Sequence, residues 1–207
     1  MIPVNVLSVR YLASASPGLC LALGAPESMP CLGLITTDCD DATYIALDEA
    51  TKAADVQVCF GSSFYAGAAN ASTPNAGEVL GVLCAATPGA VRSGMEAALG
   101  ALERIGFETA GDVPYLAHTV SSCGSFLASE ANVPEGSALA YLIAPPLESM
   151  YAMDAALKAA DVKLCKLYAP PSPTNFGGGL LTGSRSACAA ACEAFAGAVA
   201  EVAQNPK

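Results

Sequence analysis

The chain has 207 residues, 53% hydrophobic and 14% charged, and nine Lys and Arg against nineteen Asp and Glu give a formal net charge of −10. An apolar content this high excludes intrinsic disorder. The acidic balance leaves no basic stripe for nucleic acid or an anionic membrane surface, so cations and uncharged polar molecules are the better partners.

In chain order, residues 1–8 lack the basic start and long apolar run of a secretory leader, which predicts a cytoplasmic protein. No window holds the ~20 uninterrupted apolar residues of a bilayer span, which predicts a chain without a membrane partner. A β-like lead over 4–12 precedes an apolar strand at 32–36 and a helix at 43–54. The segment Ala-Ala-Asp-Val then passes directly into a strand at 56–60, followed by a Gly-, Asn- and Ser-rich loop over 61–75, a strand at 78–83 and a helix at 88–105. The same order returns: a lead at 115–120, a strand at 139–143, a helix at 150–160, a strand at 162–168, a Gly/Pro loop, a strand at 180–182 and a helix at 186–203 with Ser184 as its N-cap.

The return is a duplication. ALDEATKAADVQVC from Ala46 matches AMDAALKAADVKLC from Ala152 at an offset of 106, with nine identities in fourteen positions. EAALGA from Glu96 matches EAFAGA from Glu193 at an offset of 97. The first copy is therefore longer by about nine residues, placed in the 61–75 loop. Two tandem α+β domains follow, 1–108 and 109–207, each a small antiparallel sheet with helices on one face. Nine cysteines, odd in number and without a CxxC pair, read as free thiols. An Ala-rich, aromatic-poor chain builds small cores and completes them between subunits, so an oligomer is expected.

Four runs, 32–56, 62–80, 140–162 and 173–195, resemble the bacterial microcompartment shell domain. The whole chain resembles the tandem, circularly permuted, ferredoxin-like form of that domain found in shells of ethanolamine utilisation. The resemblance implies a homotrimer whose six domains form a flat pseudohexameric tile, packing with other shell proteins into the wall of a cytoplasmic microcompartment and passing small metabolites through gated pores. It implies a structural and transport role rather than an enzyme, with no required cofactor.

The resemblance also assigns residues. Asp40 and Asp41, in the run Thr-Thr-Asp-Cys-Asp-Asp, would line the central pore and hold a divalent metal such as zinc. As residues alone, Asp38, Asp40 and Asp41 read equally as helix N-caps. Glu78, with Tyr65, would contact the ammonium of ethanolamine; as a residue alone it reads as a solvated strand end. Phe107, Thr174, Asn175 and Phe176 would form the pore loop and border a cobalamin-binding surface, and otherwise read as turn residues. Pro173, where the family has a carboxylate, and Ser122-Cys123, where it has Arg-Thr, depart from the pattern. Lys52 and Lys158, duplicated beside the Ala-Ala-Asp-Val turn, would make the edge contacts between tiles, and otherwise read as solvated helix lysines.

Three further signals read as structural. Gly177-Gly178-Gly179 before a helix lacks the Lys of a phosphate loop. His118 lies in an apolar strand without a nucleophile signature. Cys188 and Cys192 share a helix face but are only two ligands. The competing function is a soluble trimeric sensor that binds a cationic or polar metabolite without tiling.

Overall fold

Each half of the chain lays its strands in the antiparallel order that lets the apolar repeats bury one another. The computed structural model describes residues 1–64, 78–170 and 172–207. It contains two compact units, one of Val4–Ile105 and Gly124–Leu127, the other of Met1–Pro3, Gly106–Cys123 and Ala128–Lys207. A short segment of each copy is thus assigned to the unit of the other.

The first unit holds β1 (Val6–Leu12), α1 (Pro17–Ala22), β2 (Cys31–Thr37), α2 (Asp40–Ala53), β3 (Gln57–Phe64), β4 (Glu78–Ala85) and α3 (Pro88–Leu102). Its sheet runs β1-β2-β4-β3. The second copy adds β5 (Glu108–Ala110), β6 (Val113–Val120), α4 (Ser125–Ala131), β7 (Ala138–Ala144), α5 (Pro146–Ala159), β8 (Val162–Tyr168), β9 (Gly177–Gly183) and α6 (Arg185–Gln204). Its sheet runs β5-β6-β7-β9-β8, so β6, β7, β9 and β8 repeat β1, β2, β4 and β3. The duplication extends to an irregularity: register shifts between Val58 and Phe60 and between Leu164 and Lys166, at Cys59 and Cys165, which are 106 residues apart. A bulge strengthens local twist, so the two edge strands coil alike.

Both long helices of each copy pack together and onto one face of its sheet, through Ile45, Leu47, Leu83 and Met95 in the first and Met153, Leu181, Cys188 and Phe195 in the second, all buried. In the first unit the short α1 packs elsewhere, with Cys20 and Ala15 clustered on Leu32, Val82 and Cys84. The apolar length of α6 reaches that of a membrane-crossing helix, mean hydropathy 1.3. Cys188, Ala191, Cys192, Phe195, Ala198 and Val199, at helical spacing, are its buried residues and belong to the core of the second unit.

Several boundaries move for local reasons. Helix α2 begins at Asp40, three residues before the expected start, because Cys39 takes the N-cap position. Helix α5 begins at Pro146, a residue whose missing N–H costs nothing in a first turn. Residues 177–179 are strand rather than loop. β9 lies between β7 and β8, and a Cβ on Gly179 would come within 2.3 Å of the Lys166 carbonyl oxygen. Glycine there permits close approach of three strands. Helices α1 and α4 and strand β5 were not visible in the sequence pattern, being too short to show a period.

Candidate functional site

The acidic run 38–41 lies in the turn from β2 into α2, where a buried hydroxyl network fixes the backbone. The Thr37 hydroxyl lies 2.7 Å from that of Thr43 and 2.9 Å from the Cys39 carbonyl oxygen, to which the Thr43 hydroxyl also donates at 2.8 Å. The Cys39 N–H donates back to Thr37 at 3.1 Å. This closes the first turn of α2 without a side-chain cap.

The three aspartates have separate roles, and none is the N-cap. Asp38 is fully buried and accepts the backbone N–H of Asn5 at 2.8 Å and its side-chain amide at 2.6 Å. It therefore clasps the segment leading into β1 and does not face a ligand. Asp40 and Asp41 occupy the first helical turn, where the positive end of the helix dipole favours a carboxylate. Asp41 is buried, while Asp40 is partly buried and accepts the Asp41 N–H at 2.9 Å. Desolvation raises the Asp40 carboxyl above the ordinary aspartate range, against the Ser63 hydroxyl and the backbone N–H groups of Asp41 and Asp40, which lower it.

Ser63 joins this group from β3. Its hydroxyl lies 2.7 Å from that of Tyr44 on α2. The Tyr44 ring packs 6.0 Å from that of Phe126. Gly61 keeps this corner open, since a Cβ there would meet Tyr44 at 3.1 Å and Phe126 at 3.7 Å. The β3–β4 register pairs Ser63 with Val79 and Phe64 with Glu78, so Glu78 opens β4 at the register position that alternates with the one opposite Ser63. Tyr65 lies outside the described residues. Asp40, Asp41, Ser63 and Tyr44 are thus brought to one corner of the first unit.

Sequence reasoning missed Ser63 and Tyr44, and it missed Asp48. That residue is fully buried on α2 and accepts the N–H groups of Gly124 at 2.7 Å and Leu127 at 2.9 Å, while Thr51 accepts that of Ser125 at 3.2 Å. Burial raises the Asp48 carboxyl above its usual range, opposed by those two N–H groups and by the Lys52 charge. Its repeat position was a signal, because Asp48 and Asp154 are the same residue in the two copies.

The pore-loop residues form a second cluster, in the other unit. The Phe107 and Phe176 rings meet edge-on at 5.6 Å, and Phe107 accepts the Ile2 N–H. Thr174 is buried beside Ser172, and Asn175 takes φ 65° with its N–H on the Ser172 carbonyl oxygen at 3.2 Å. Asn tolerates that left-handed conformation better than most residues, which explains its place in the turn. Lys52 pairs with Glu49 at 2.5 Å and Lys158 with Asp154 at 2.6 Å, each within its own helix.

The structural readings keep their places. Cys188 and Cys192 are buried, and the Cys192 thiol, pushed up to about 11 by burial, accepts the Thr119 hydroxyl. His118 lies in β6 opposite Tyr141. Among the described residues, no three His, Cys, Asp or Glu side chains of one chain converge as a metal centre. Among the described residues, the acidic side chains one chain brings to this corner are Asp40 and Asp41, so a single chain does not by itself compose a zinc site. Nor do Phe107 and Phe176, packed on each other beside a buried Thr174, compose a corrin surface by themselves.

Comparison with known proteins accords with this architecture. The BMC domain family matches residues 31–113. The chain is 55% identical to the bacterial microcompartment shell protein EutL of Clostridium perfringens over all of this chain and 97% of that protein. It is 47% identical to EutL of Salmonella typhimurium, over all of this chain and 96% of the relative. The crystal structure of the ethanolamine utilization protein EutL from Leptotrichia buccalis superposes with a TM-score of 0.94 at 55% identity, covering 99% of this chain and 96% of that one. EtuB of Clostridium kluyveri shares the fold at a TM-score of 0.81 and 22% identity, over 96% of this chain and 88% of its own. Full-length identity at this level, together with the twice-written unit, places the chain in the EutL family of bacterial microcompartment shell proteins, as a structural component of the shell rather than an enzyme.

Proposed function

We propose that three copies of the chain form a six-unit tile that packs beside other shell proteins, and that the acidic corner of the first unit selects a small cationic metabolite for passage. Ethanolamine is the favoured species: the relatives include an ethanolamine utilization protein, and a primary ammonium has three donors to place on carboxylates and hydroxyls. The observation that carries this reading is the convergence of Asp40, Ser63 and Tyr44 at the first turn of α2. Asp40 would supply charge and Ser63 and Tyr44 neutral acceptors, with Glu78 and Tyr65 as further contacts of the metabolite. Asp41 would add to the negative field at the same helix end.

In this reading Phe107, Thr174, Asn175 and Phe176 border the larger passage, and Lys52 and Lys158 lie at the tile edge. Gating requires the metabolite to bind one loop arrangement more tightly than another, since equal affinity shifts no equilibrium.

Calorimetric titration of ethanolamine tests the site. Asp40→Asn and Glu78→Gln each remove a charge-assisted hydrogen bond, so affinity should fall about tenfold or more. Because the Asp40 carboxyl titrates above its usual range, wild-type affinity should decline with falling pH before an ordinary aspartate would protonate, and Asp40→Asn should flatten that part of the profile. Unchanged affinity in both variants removes the acidic corner from the metabolite site.

A further inference from the structure

The cluster under α1 in the first unit is rich in sulfur, with Cys20, Met29, Cys59 and Cys84 gathered around Leu32 and Val82. Three of these sulfurs meet. Cys59 is the extra residue of the β3 bulge, and its sulfur lies 3.5 Å from the Val82 carbonyl oxygen on β4. It also shares a hydrogen bond with Cys84, two residues further along β4, which raises the Cys59 thiol and lowers that of Cys84. The Cys84 sulfur in turn lies 3.9 Å from that of Met29. Cys20 stands apart, its sulfur turned to the Ala15 carbonyl oxygen at 3.9 Å.

The backbone brings the three together from separate elements. Met29 closes a turn, its N–H on the Pro26 carbonyl oxygen at 2.8 Å. Gly24, at φ 73°, lets the end of α1 settle on the bulge, since a Cβ there would come within 3.2 Å of the Cys59 carbonyl oxygen. The second copy builds the same parts with one sulfur of the three. Ser137 closes the matching turn on Pro134, Cys165 marks the matching bulge, and Thr182, opposite Lys163 as Cys84 is opposite Gln57, stands in place of the second thiol. The Thr182 hydroxyl donates to the Ala138 carbonyl oxygen at 2.9 Å. The fold therefore does not require the sulfur trio of the first unit.

We infer that the sulfurs of Cys59, Cys84 and Met29 form a binding site for one soft monovalent cation, Cu(I), in a three-sulfur shell. Metal–sulfur bonds of about 2.3 Å set the sulfurs of a planar trigonal shell about 4 Å apart. The Cys84–Met29 separation is 3.9 Å before any ion enters. Thiolate and thioether donors are soft and select Cu(I) over the harder divalent ions. A structural zinc site takes four ligands, and no three His, Cys, Asp or Glu converge among the described residues. Two thiolates and a thioether suffice for Cu(I), and its binding releases the thiol protons to water. Cys84 is buried, while Cys59 and Met29 are half-buried and give the ion a way in.

The test titrates the full chain, reduced and under argon, against Cu(I) held as its coloured bicinchoninate complex. Wild type should withdraw one Cu(I) per chain, and X-ray absorption at the copper edge should show sulfur neighbours alone. Cys59→Ser and Cys84→Thr, the latter placing in the first copy the residue of the second, should each weaken uptake by more than the about 10–100-fold that a supporting residue costs. Met29→Leu, close in volume, should weaken it about tenfold. Cys165→Ser, at the same bulge position of the other copy, should leave uptake unchanged. Should Cys84→Thr fail to match wild type in circular dichroism, Met29→Leu and the wild-type copper spectrum still decide. No uptake by wild type, nitrogen or oxygen neighbours at the copper, or uptake unaltered by Cys59→Ser or by Met29→Leu overturns the site.

Discussion

At Asp48 a carboxylate removed from water is held by the N–H groups of Gly124 and Leu127, and at Asp154 the same repeat position pairs with Lys158 on an exposed helix. Removing the first leaves two buried donors without an acceptor, which mutational data place at about 1–3 kcal/mol for each group. Asp48→Ala should therefore lower unfolding free energy by about 2–4 kcal/mol in urea titration, whereas Asp154→Ala should change it by less than about 0.5 kcal/mol, as exposed pairs do. Equal effects would show that the cap does not depend on Asp48. The acidic run 38–41 was legible as a cluster because its members are adjacent. Asp48 was not, because its donors lie 76 and 79 residues away, and no local spacing encodes such a partner. Asp38 is the complementary case: its place before a helix suggested an N-cap, but Cys39 takes that position and Asn5, 33 residues earlier, occupies the Asp38 carboxylate.

Strand β9 and helix α6 carry opposite lessons about glycine. Gly81 and Gly179 stand at equivalent places in β4 and β9, and a Cβ would meet Leu47 at 2.6 Å in the first and the Lys166 carbonyl oxygen at 2.3 Å in the second. Leu47 and Met153, 106 residues apart, overlie these two glycines. Gly179→Ala should cost about 1–3 kcal/mol by overpacking. Gly197→Ala, in open space on α6, should add about 0.5–1 kcal/mol through helix propensity. Opposite shifts in thermal midpoint check the pair; a stabilising Gly179→Ala would refute the close approach. The long helices and most strands were readable because period and caps recur in both copies. The glycine run 177–179 was not, since glycine marks both a loop and a crowded strand, and only the neighbours decide. Offsets also located the extra length: 106 at Cys59 and Cys165, 98 at Gly81 and Gly179, and 97 at the N-caps Thr87 and Ser184. It lies mainly in the connection between β3 and β4.

For the assembly, Lys158 tests the tile edge separately from the trimer. Its side chain is 74% exposed and held only by a surface pair to Asp154, which contributes little to stability. Lys158→Asp should leave the chain folded and trimeric by sedimentation while abolishing extended sheets in electron micrographs; sheets that persist would move the edge elsewhere. The exchange of segments between the units, Met1–Pro3 with the second and Gly124–Leu127 with the first, reaches further. A chain cut back to its first half would keep the Asp48 carboxylate buried on α2 without the N–H groups of Gly124 and Leu127 that it accepts, so the first half draws part of its own core from the second.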